Sequence, residues 1–197
     1  MPRTATIHRK TNETDITVEL NLDGGSYRHE TGVGFFDHML DHVARHGRLG
    51  LTITAKGDRH IDDHHTVEDV GIVLGQAIDK ALGDKKGIER YGFASVPMDE
   101  ALARVSLDLS GRAALVMAVQ PPEFVQMPAK IGGFDTQLVR EFLTALSQNG
   151  RFNCHVEVPT GDNYHHIAEA IFKALGRALR QAVAITGDAI PSTKGTL

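Results

Sequence analysis

The chain has 197 residues, 41% hydrophobic and 23% charged, with a net charge of −4. That length can bury a core as one domain or two small ones, and a mixed, mildly acidic charge argues against a general nucleic-acid or membrane-surface role. A single cysteine, Cys154, excludes an intrachain disulfide and leaves nothing that requires an oxidising compartment.

Residues 1–10 carry no apolar core of signal-peptide length, and no apolar run approaches the ~20 residues of a membrane span. The expectation is a soluble cytoplasmic protein. The unusual count is histidine, at 11, which points to metals or proton transfer.

In chain order, residues 5–9 read as a short strand. Ile16, Val18, Leu20 and Leu22 alternate with polar residues, a half-buried strand, and Asp23-Gly24-Gly25 is a turn. Residues 35–46 read as a helix, because Phe36, Met39, Leu40 and Val43 fall at i, i+3, i+4, i+7. His38, Asp41, His42 and Arg45 lie off that stripe. A strand over 49–55 follows. Then Asp62-Asp63-His64-His65-Thr66-Val67-Glu68-Asp69 opens a helix from about residue 65 to 82, with Asp62 or Asp63 as N-cap and Gly83 as stop.

The second half repeats the first. Residues 100–111 lay over 13–24 without a gap, so that Val105, Leu107 and Leu109 fall on Val18, Leu20 and Leu22. The amphipathic stretch 137–148 matches 36–46. Asn149-Gly150-Arg151-Phe152 matches His46-Gly47-Arg48-Leu49, and Gly161-Asp162 matches Gly57-Asp58. His165-His166-Ile167-Ala168-Glu169 opens a helix to about residue 182, as His64 does. Each half reads strand, strand, helix, strand, helix, which implies a duplicated α+β fold with helices covering sheet faces in one α/β sandwich. The halves are about 1–87 and 88–186, followed by an extended tail at 187–197, in a single domain. Cys154 reads as a buried strand residue, and His155 as a core or interface histidine.

The chemistry lies in the repeated His-His-x-x-Glu. On a helix Glu68 sits beside both His64 and His65, while the two histidines diverge by about a hundred degrees. They therefore serve two ions, or one ion and a substrate. The second copy has the same geometry, giving two pseudo-equivalent sites that each draw on both pairs. Imidazole and carboxylate ligands without thiolate suit Mn, Fe, Zn, Co or Ni. His38 and His42, an i, i+4 pair, are candidates for a further ligand. His8, His29 and His60 read as ordinary polar residues. Arg90, Arg112 and Lys194 stand near glycines and turns, where an anionic group finds donors, but their spacing alone does not separate them from surface charge.

These segments resemble imidazoleglycerol-phosphate dehydratase. The resemblance is carried by Gly32-Val33-Gly34-Phe35-Phe36-Asp37-His38-Met39-Leu40, by residues 62–69 and 162–169, and by Pro191-Ser192-Thr193-Lys194-Gly195. It implies a monofunctional lyase of histidine biosynthesis, assembled as a 24-mer from trimers with active sites at subunit contacts. It also implies two Mn2+ ions per site. One would take His38, His65, Glu68 and His165. The other would take His64, His166, Glu169 and a residue of the 137–148 helix. Many relatives carry histidine at that last position; here it is Glu141, a carboxylate that can also ligate Mn.

By the same resemblance the substrate phosphate would meet Arg90, Arg112, Ser192, Thr193 and Lys194. The rest of the substrate would touch Glu13, His38, His46, His64, Glu68 and His165. Imidazole glycerol phosphate would lose water to give imidazole acetol phosphate, its ring held as imidazolate by the dinuclear centre and its hydroxyl leaving through a diazafulvene-like intermediate. Glu169 or Glu13 would remove the carbon-bound proton, and His42 would join the catalytic group. The same ligands in a dinuclear metallohydrolase, or in a non-enzymatic metal-binding shell, are the alternatives.

Overall fold

The computed structural model describes residues 2–127 and 129–197. The first half contains β1 (Thr4–Lys10), β2 (Thr14–Asn21), β3 (Tyr27–Glu30), α1 (Gly34–Gly47), β4 (Gly50–Gly57) and α2 (His64–Leu82). The second contains β5 (Tyr91–Met98), β6 (Ala101–Asp108), β7 (Ala114–Val119), a short α3 (Glu123–Gln126), the ribbon β8 (Lys130–Ile131) and β9 (Phe134–Asp135), α4 (Gln137–Gly150), β10 (Asn153–Thr160) and α5 (Tyr164–Ala182). The two large sheets have orders β1-β2-β4-β3 and β5-β6-β10-β7. In each, the third strand lies parallel to the sheet's last strand in chain order, β3 to β4 and β7 to β10.

The repeat is thus three strands, helix, strand, helix, one strand more per half than the sequence pattern predicts. β3 escapes because Tyr-Arg-His-Glu has no apolar alternation and lies largely exposed at a sheet edge. β7 is an unbroken apolar run, Ala-Leu-Val-Met-Ala-Val, that shows no period of two. The α3-β8-β9 segment occurs only in the second half. It accounts for the longer offset between the halves after the matched strands.

Alternation places Ile16, Val18 and Leu20 inward on β2, and Val105 and Leu107 inward on β6. α2 covers β1 and β2, and α5 covers β5 and β6. The helices also pair across the halves, α1 on α5 and α2 on α4, so they lie between the two sheets. Phe36, Phe142 and Phe172 are fully buried where these helices meet. Their rings touch in sequence, with centroids 5.2 Å and 5.5 Å apart. Cys154 is buried, as expected, and burial pushes its thiol up to about 12. On β10 His155 faces outward and is exposed in the chain, because the strand's inward register belongs to Cys154 and Val156, which overturns the core reading and leaves the interface one.

Small residues set how near the paired helices come. A Cβ at Gly176 on α5 would stand 2.7 Å from the Val43 carbonyl oxygen and 3.0 Å from the Gly47 nitrogen on α1. A Cβ at Gly75 on α2 would stand 2.7 Å from both the Leu146 oxygen and the Gly150 nitrogen on α4. Alanine gains about 1 kcal/mol of helix propensity over glycine. Forcing a methyl onto neighbouring backbone costs about 1–3 kcal/mol, and backbone cannot step aside as a side chain can. Gly176→Ala is therefore expected to lower the thermal unfolding midpoint, and an unchanged or raised midpoint in calorimetry would contradict this packing.

Candidate metal centre

Helix pairing places the candidate ligands in two groups at different parts of the chain. The first spans α1 and α5. His38, His42 and His46 follow one another at four-residue spacing on α1, and His165 and Glu169 stand one turn apart on α5. Glu169 Oε1 lies 3.1 Å from His38 Nε2 and 3.0 Å from His165 Nε2. His42 Nε2 is 3.3 Å from His38 Nε2 and 3.5 Å from Glu169 Oε2. His46 stacks on His42, with ring centroids 5.8 Å apart. Lys173, one turn beyond Glu169, donates to its Oε2 at 2.5 Å.

Glu169 is the buried hub of this group. Burial alone would raise its carboxyl, but the hydrogen bonds from Lys173, His38 and His165 outweigh it and hold it down at about 2. His42 goes the other way. Burial lowers it to about 4 against the pull of Glu169, so its ring is neutral near neutral pH.

The second group spans α2, its preceding loop and α4. His64 and Glu68 form an i, i+4 pair 3.6 Å apart. His64 and Glu141 both line a cavity of about 710 Å³ with Arg59, Asp63, Lys130 and Gln137. Asp63 occupies the N-cap position of α2 without capping it and instead accepts from Arg59 at 2.9 Å. Asp62 accepts the His64 N–H, 2.8 Å away. In α5 Asn163 does this work for both His165 and His166.

The second histidine of each pair turns to a different carboxylate. His65 Nδ1 is 3.0 Å from Asp58 Oδ2, and its Nε2 is 4.0 Å from Glu13 Oε1. His166 Nδ1 is 2.8 Å from Glu100 Oε2, and its Nε2 is 3.7 Å from Asp99. The hydrogen bond to Asp58 raises His65, and that to Glu100 raises His166. Glu100 is lowered to about 2, first by His166 and then by backbone donors.

Donor chemistry and spacing fit a divalent ion. His38, His42 and Glu169 bring one donor atom each within 4.8 Å of one another, and so do Glu13, Asp58 and His65. Imidazole and carboxylate without thiolate suit the first-row divalent metals.

Neither expected ligand set is complete within one chain. His38 and His165 meet on α1 and α5, while His65 and Glu68 are on α2. His64 and Glu141 share the α2–α4 cavity, while His166 and Glu169 are on α5. The five residues expected at a phosphate do come together. Arg90, Arg112, Ser192, Thr193 and Lys194 line a cavity of about 600 Å³. Arg90 is fixed there by Asp108, at 2.7 and 3.2 Å, and donates to the Pro191 carbonyl. That cavity borders the far end of α5, where the Arg90 N–H reaches the Ala182 carbonyl. At about 1.5 Å of rise per residue, the roughly sixteen residues from His166 to Ala182 span about 24 Å.

Sequence reasoning missed Asp58, Glu100 and Lys173. Each had a signal. Asp58 and Glu100 lie in the aligned segments of the repeat, and Lys173 is the i+4 partner of Glu169.

The fold and its donors define a duplicated α+β chain with the ligand chemistry of a metal-dependent enzyme. Residues 31–179 match the family model described as imidazoleglycerol-phosphate dehydratase. The chain is 61% identical over 199 residues to the imidazoleglycerol-phosphate dehydratase of Ruegeria pomeroyi, covering 99% of this chain and 100% of that one. It is 55% identical over 198 residues to that of Deinococcus radiodurans, with both chains fully covered. Among solved structures, the Staphylococcus aureus enzyme superposes with a TM-score of 0.81 at 40% identity, covering 93% of this chain and 99% of that one. The Pyrococcus furiosus enzyme in complex with (S)-C348 gives 0.82 at 38% identity, covering 97% and 100%. The chain belongs to the imidazoleglycerol-phosphate dehydratase family. It is an enzyme of the dehydratase class, which sets aside the metallohydrolase and storage-shell readings, and its substrate is a small molecule. No helix among the described residues is long and apolar enough to cross a membrane.

One histidine beside this region reads on stability. The His29 side chain is 1% exposed, with Nδ1 2.7 Å from Asp41 and Nε2 without a partner among the described residues. Burial lowers it below its ordinary 6.5, and Asp41 only partly opposes this. The unfolded chain then binds more protons than the native one below that value, so stability is lost as pH falls through it. His29→Asn keeps a donor for Asp41 but does not titrate. Its unfolding midpoint should fall less steeply than the wild type's between about pH 7 and pH 5, and parallel profiles would refute the assignment.

Proposed function

We propose that the chain, as a single dehydratase domain of two halves (1–87 and 88–186) with a tail at 187–197, removes water from imidazole glycerol phosphate to give imidazole acetol phosphate. The observation that carries this reading is the convergence of His38, His165 and Glu169 at 3.0 to 3.1 Å, in a chain whose relatives bear the dehydratase name over their full length. The ions are proposed to be Mn2+, two per active site. One is held by His38, His65, Glu68 and His165, the other by His64, Glu141, His166 and Glu169. When bound, they supply Lewis acidity to the imidazole nitrogens, stabilising negative charge that no neighbouring carbonyl can take.

Active sites shared between subunits follow from the same reading. Each ligand set divides between two helix pairs, and the phosphate cluster lies about 24 Å along α5 from His166. A small substrate cannot touch both ends of one helix. Complementary ends of neighbouring chains can supply what each lacks, in keeping with a proposed 24-mer built from trimers. The proposed location is the cytoplasm.

The chain's own residues divide the work. Arg90, Arg112, Ser192, Thr193 and Lys194 bind the phosphate, with Arg90 oriented by Asp108. Glu169, held ionised by Lys173 and two histidines, suits a ligand better than a base. Glu13 suits the base: its side chain is 55% exposed, and Oε1 stands 4.0 Å from His65 Nε2. It takes the proton from the second carbon out from the ring, the hydroxyl leaves the carbon bonded to the ring, and the resulting enol becomes the ketone. His42 offers a neutral imidazole beside His38 and Glu169, and His46 extends that stripe toward the substrate.

Glu13→Gln should retain its metal content and lose turnover by about 10²–10⁴-fold. The assay follows the enolisable ketone formed from imidazole glycerol phosphate, with metals counted on the same samples. Wild-type turnover in that variant would remove Glu13 from the role. Absence of the ketone with metal-loaded wild type would remove the reaction.

A further inference from the structure

We propose that Asp58 and Glu100 are positioning residues for the metal centre, each taking the Nδ1–H of the second histidine of its pair and so leaving Nε2 of His65 and His166 as the ligand atom. The inference deepens the metal-centre reading above and rests on it.

An ionised carboxylate can only accept a hydrogen bond. At 3.0 Å from Asp58 and 2.8 Å from Glu100, the Nδ1 atoms of His65 and His166 are therefore the donors. A neutral imidazole that carries its proton on Nδ1 presents its lone pair on Nε2. The carboxylate also fixes the ring's orientation and makes Nε2 a stronger donor to a metal. Both carboxylates are themselves anchored. The Asp58 side chain is 13% exposed, and its backbone N–H donates to the Glu13 carbonyl at 3.1 Å, extending the β2–β4 ladder. Glu100 Oε1 accepts the backbone N–H groups of Asn163, at 2.9 Å, and Asp162, at 3.3 Å, while Oε2 takes His166.

The duplication supplies the second line of argument. Glu13 and Glu100 are equivalent positions, and so are Asp58 and Asp162. Each half thus carries one Glu and one Asp at matching positions of the repeat. In the first half the Asp binds the ring and the Glu is left unbound. In the second half the Glu binds the ring, and the Asp162 side chain makes no hydrogen bond among the described residues. The Nδ1 contact survives in both halves while the residue that makes it has changed. The exchange also explains why Glu13 is available: Asp58 has taken over the work that Glu100 still performs.

The test titrates Mn2+ into metal-stripped full-length protein and measures the affinity and number of ions bound, beside the unfolding midpoint of each metal-free variant. Asp58→Ala and Glu100→Ala should each weaken binding of one ion by about 10–100-fold. Asp58→Asn and Glu100→Gln keep an acceptor without the charge, and should fall between alanine and wild type with an unchanged midpoint. Wild-type affinity in the alanine variants overturns the proposal, as does an amide variant that binds no better than its alanine counterpart. Where an alanine variant does not fold, the amide variant decides: weaker Mn2+ binding supports the proposal, and wild-type binding overturns it. His65→Ala and His166→Ala separate the two levels. If they too bind Mn2+ as wild type does, the ligand reading fails. If they lose an ion while the Asp58 and Glu100 variants do not, only the positioning roles fail.

Discussion

Glycine at the crossing of α1 with α5, and again at the crossing of α2 with α4, is the constraint on which the centre depends. Gly176 lies against the backbone of Val43 and Gly47, and Gly75 against that of Leu146 and Gly150. Gly47 and Gly150 are equivalent in the repeat, as are Gly75 and Gly176, so the two crossings are copies of one contact. At this approach the side chains about one and a half to three turns earlier on each helix face one another. On α1 and α5 these are His38, His42, His165 and Glu169. On α4 and α2 they are Glu141 and His64, which line one cavity. A bulkier crossing would hold the helices apart and separate His38 from Glu169, whose 3.1 Å contact leaves no slack for a methyl's width.

The two copies of that contact have not stayed alike. At α1 and α5, Glu169 is buried and Lys173 offsets its charge. At α2 and α4, Glu68 is only half-buried, and no lysine stands one turn beyond it, where the equivalent residue is Ile72. The first cluster is a preformed, charge-balanced arrangement in which burial and hydrogen bonding compete and hydrogen bonding wins. The second is open to the cavity and to whatever enters it. Histidine on α1 at position 38 faces its copy as glutamate at position 141, so the two ends also differ in charge. In the proposed shared site, ends of this kind would complement rather than repel each other.

Much of the architecture was legible because it rests on periodicity. The helices containing Phe36 and Leu138 show their apolar stripes, and the overlay of residues 100–111 on 13–24 disclosed the duplication. Strands without periodicity stayed hidden. β3 is four polar residues at a sheet edge, held by its parallel ladder to β4 rather than by burial. The ligand types were legible too, since His-His-x-x-Glu on a helix leaves little else to read. Their partners were not. The Asp58 contact with His65 depends on how β4 ends, and the Glu100 contact with His166 depends on a turn sixty-six residues away in sequence. Local spacing carries no information about either.

The division of the ligands has a physical logic beyond geometry. Packing five histidines and three carboxylates around two ions inside one small chain would bury several charges and their hydration cost together. Distributing the set leaves each end partly solvated in the single chain, with one buried carboxylate, Glu169, already neutralised by Lys173. In the proposed shared site the full desolvation would be deferred until ends meet and the ions are present to offset it. The same division accounts for the long separation along α5 between His166 and the Arg90 cluster. In the proposed arrangement one helix would serve two sites, giving ligands to one from its N-terminal turn and supporting the anion cluster of another at its C-terminus. A substitution in the middle of α5 would therefore disturb metal and phosphate binding together, though it touches neither.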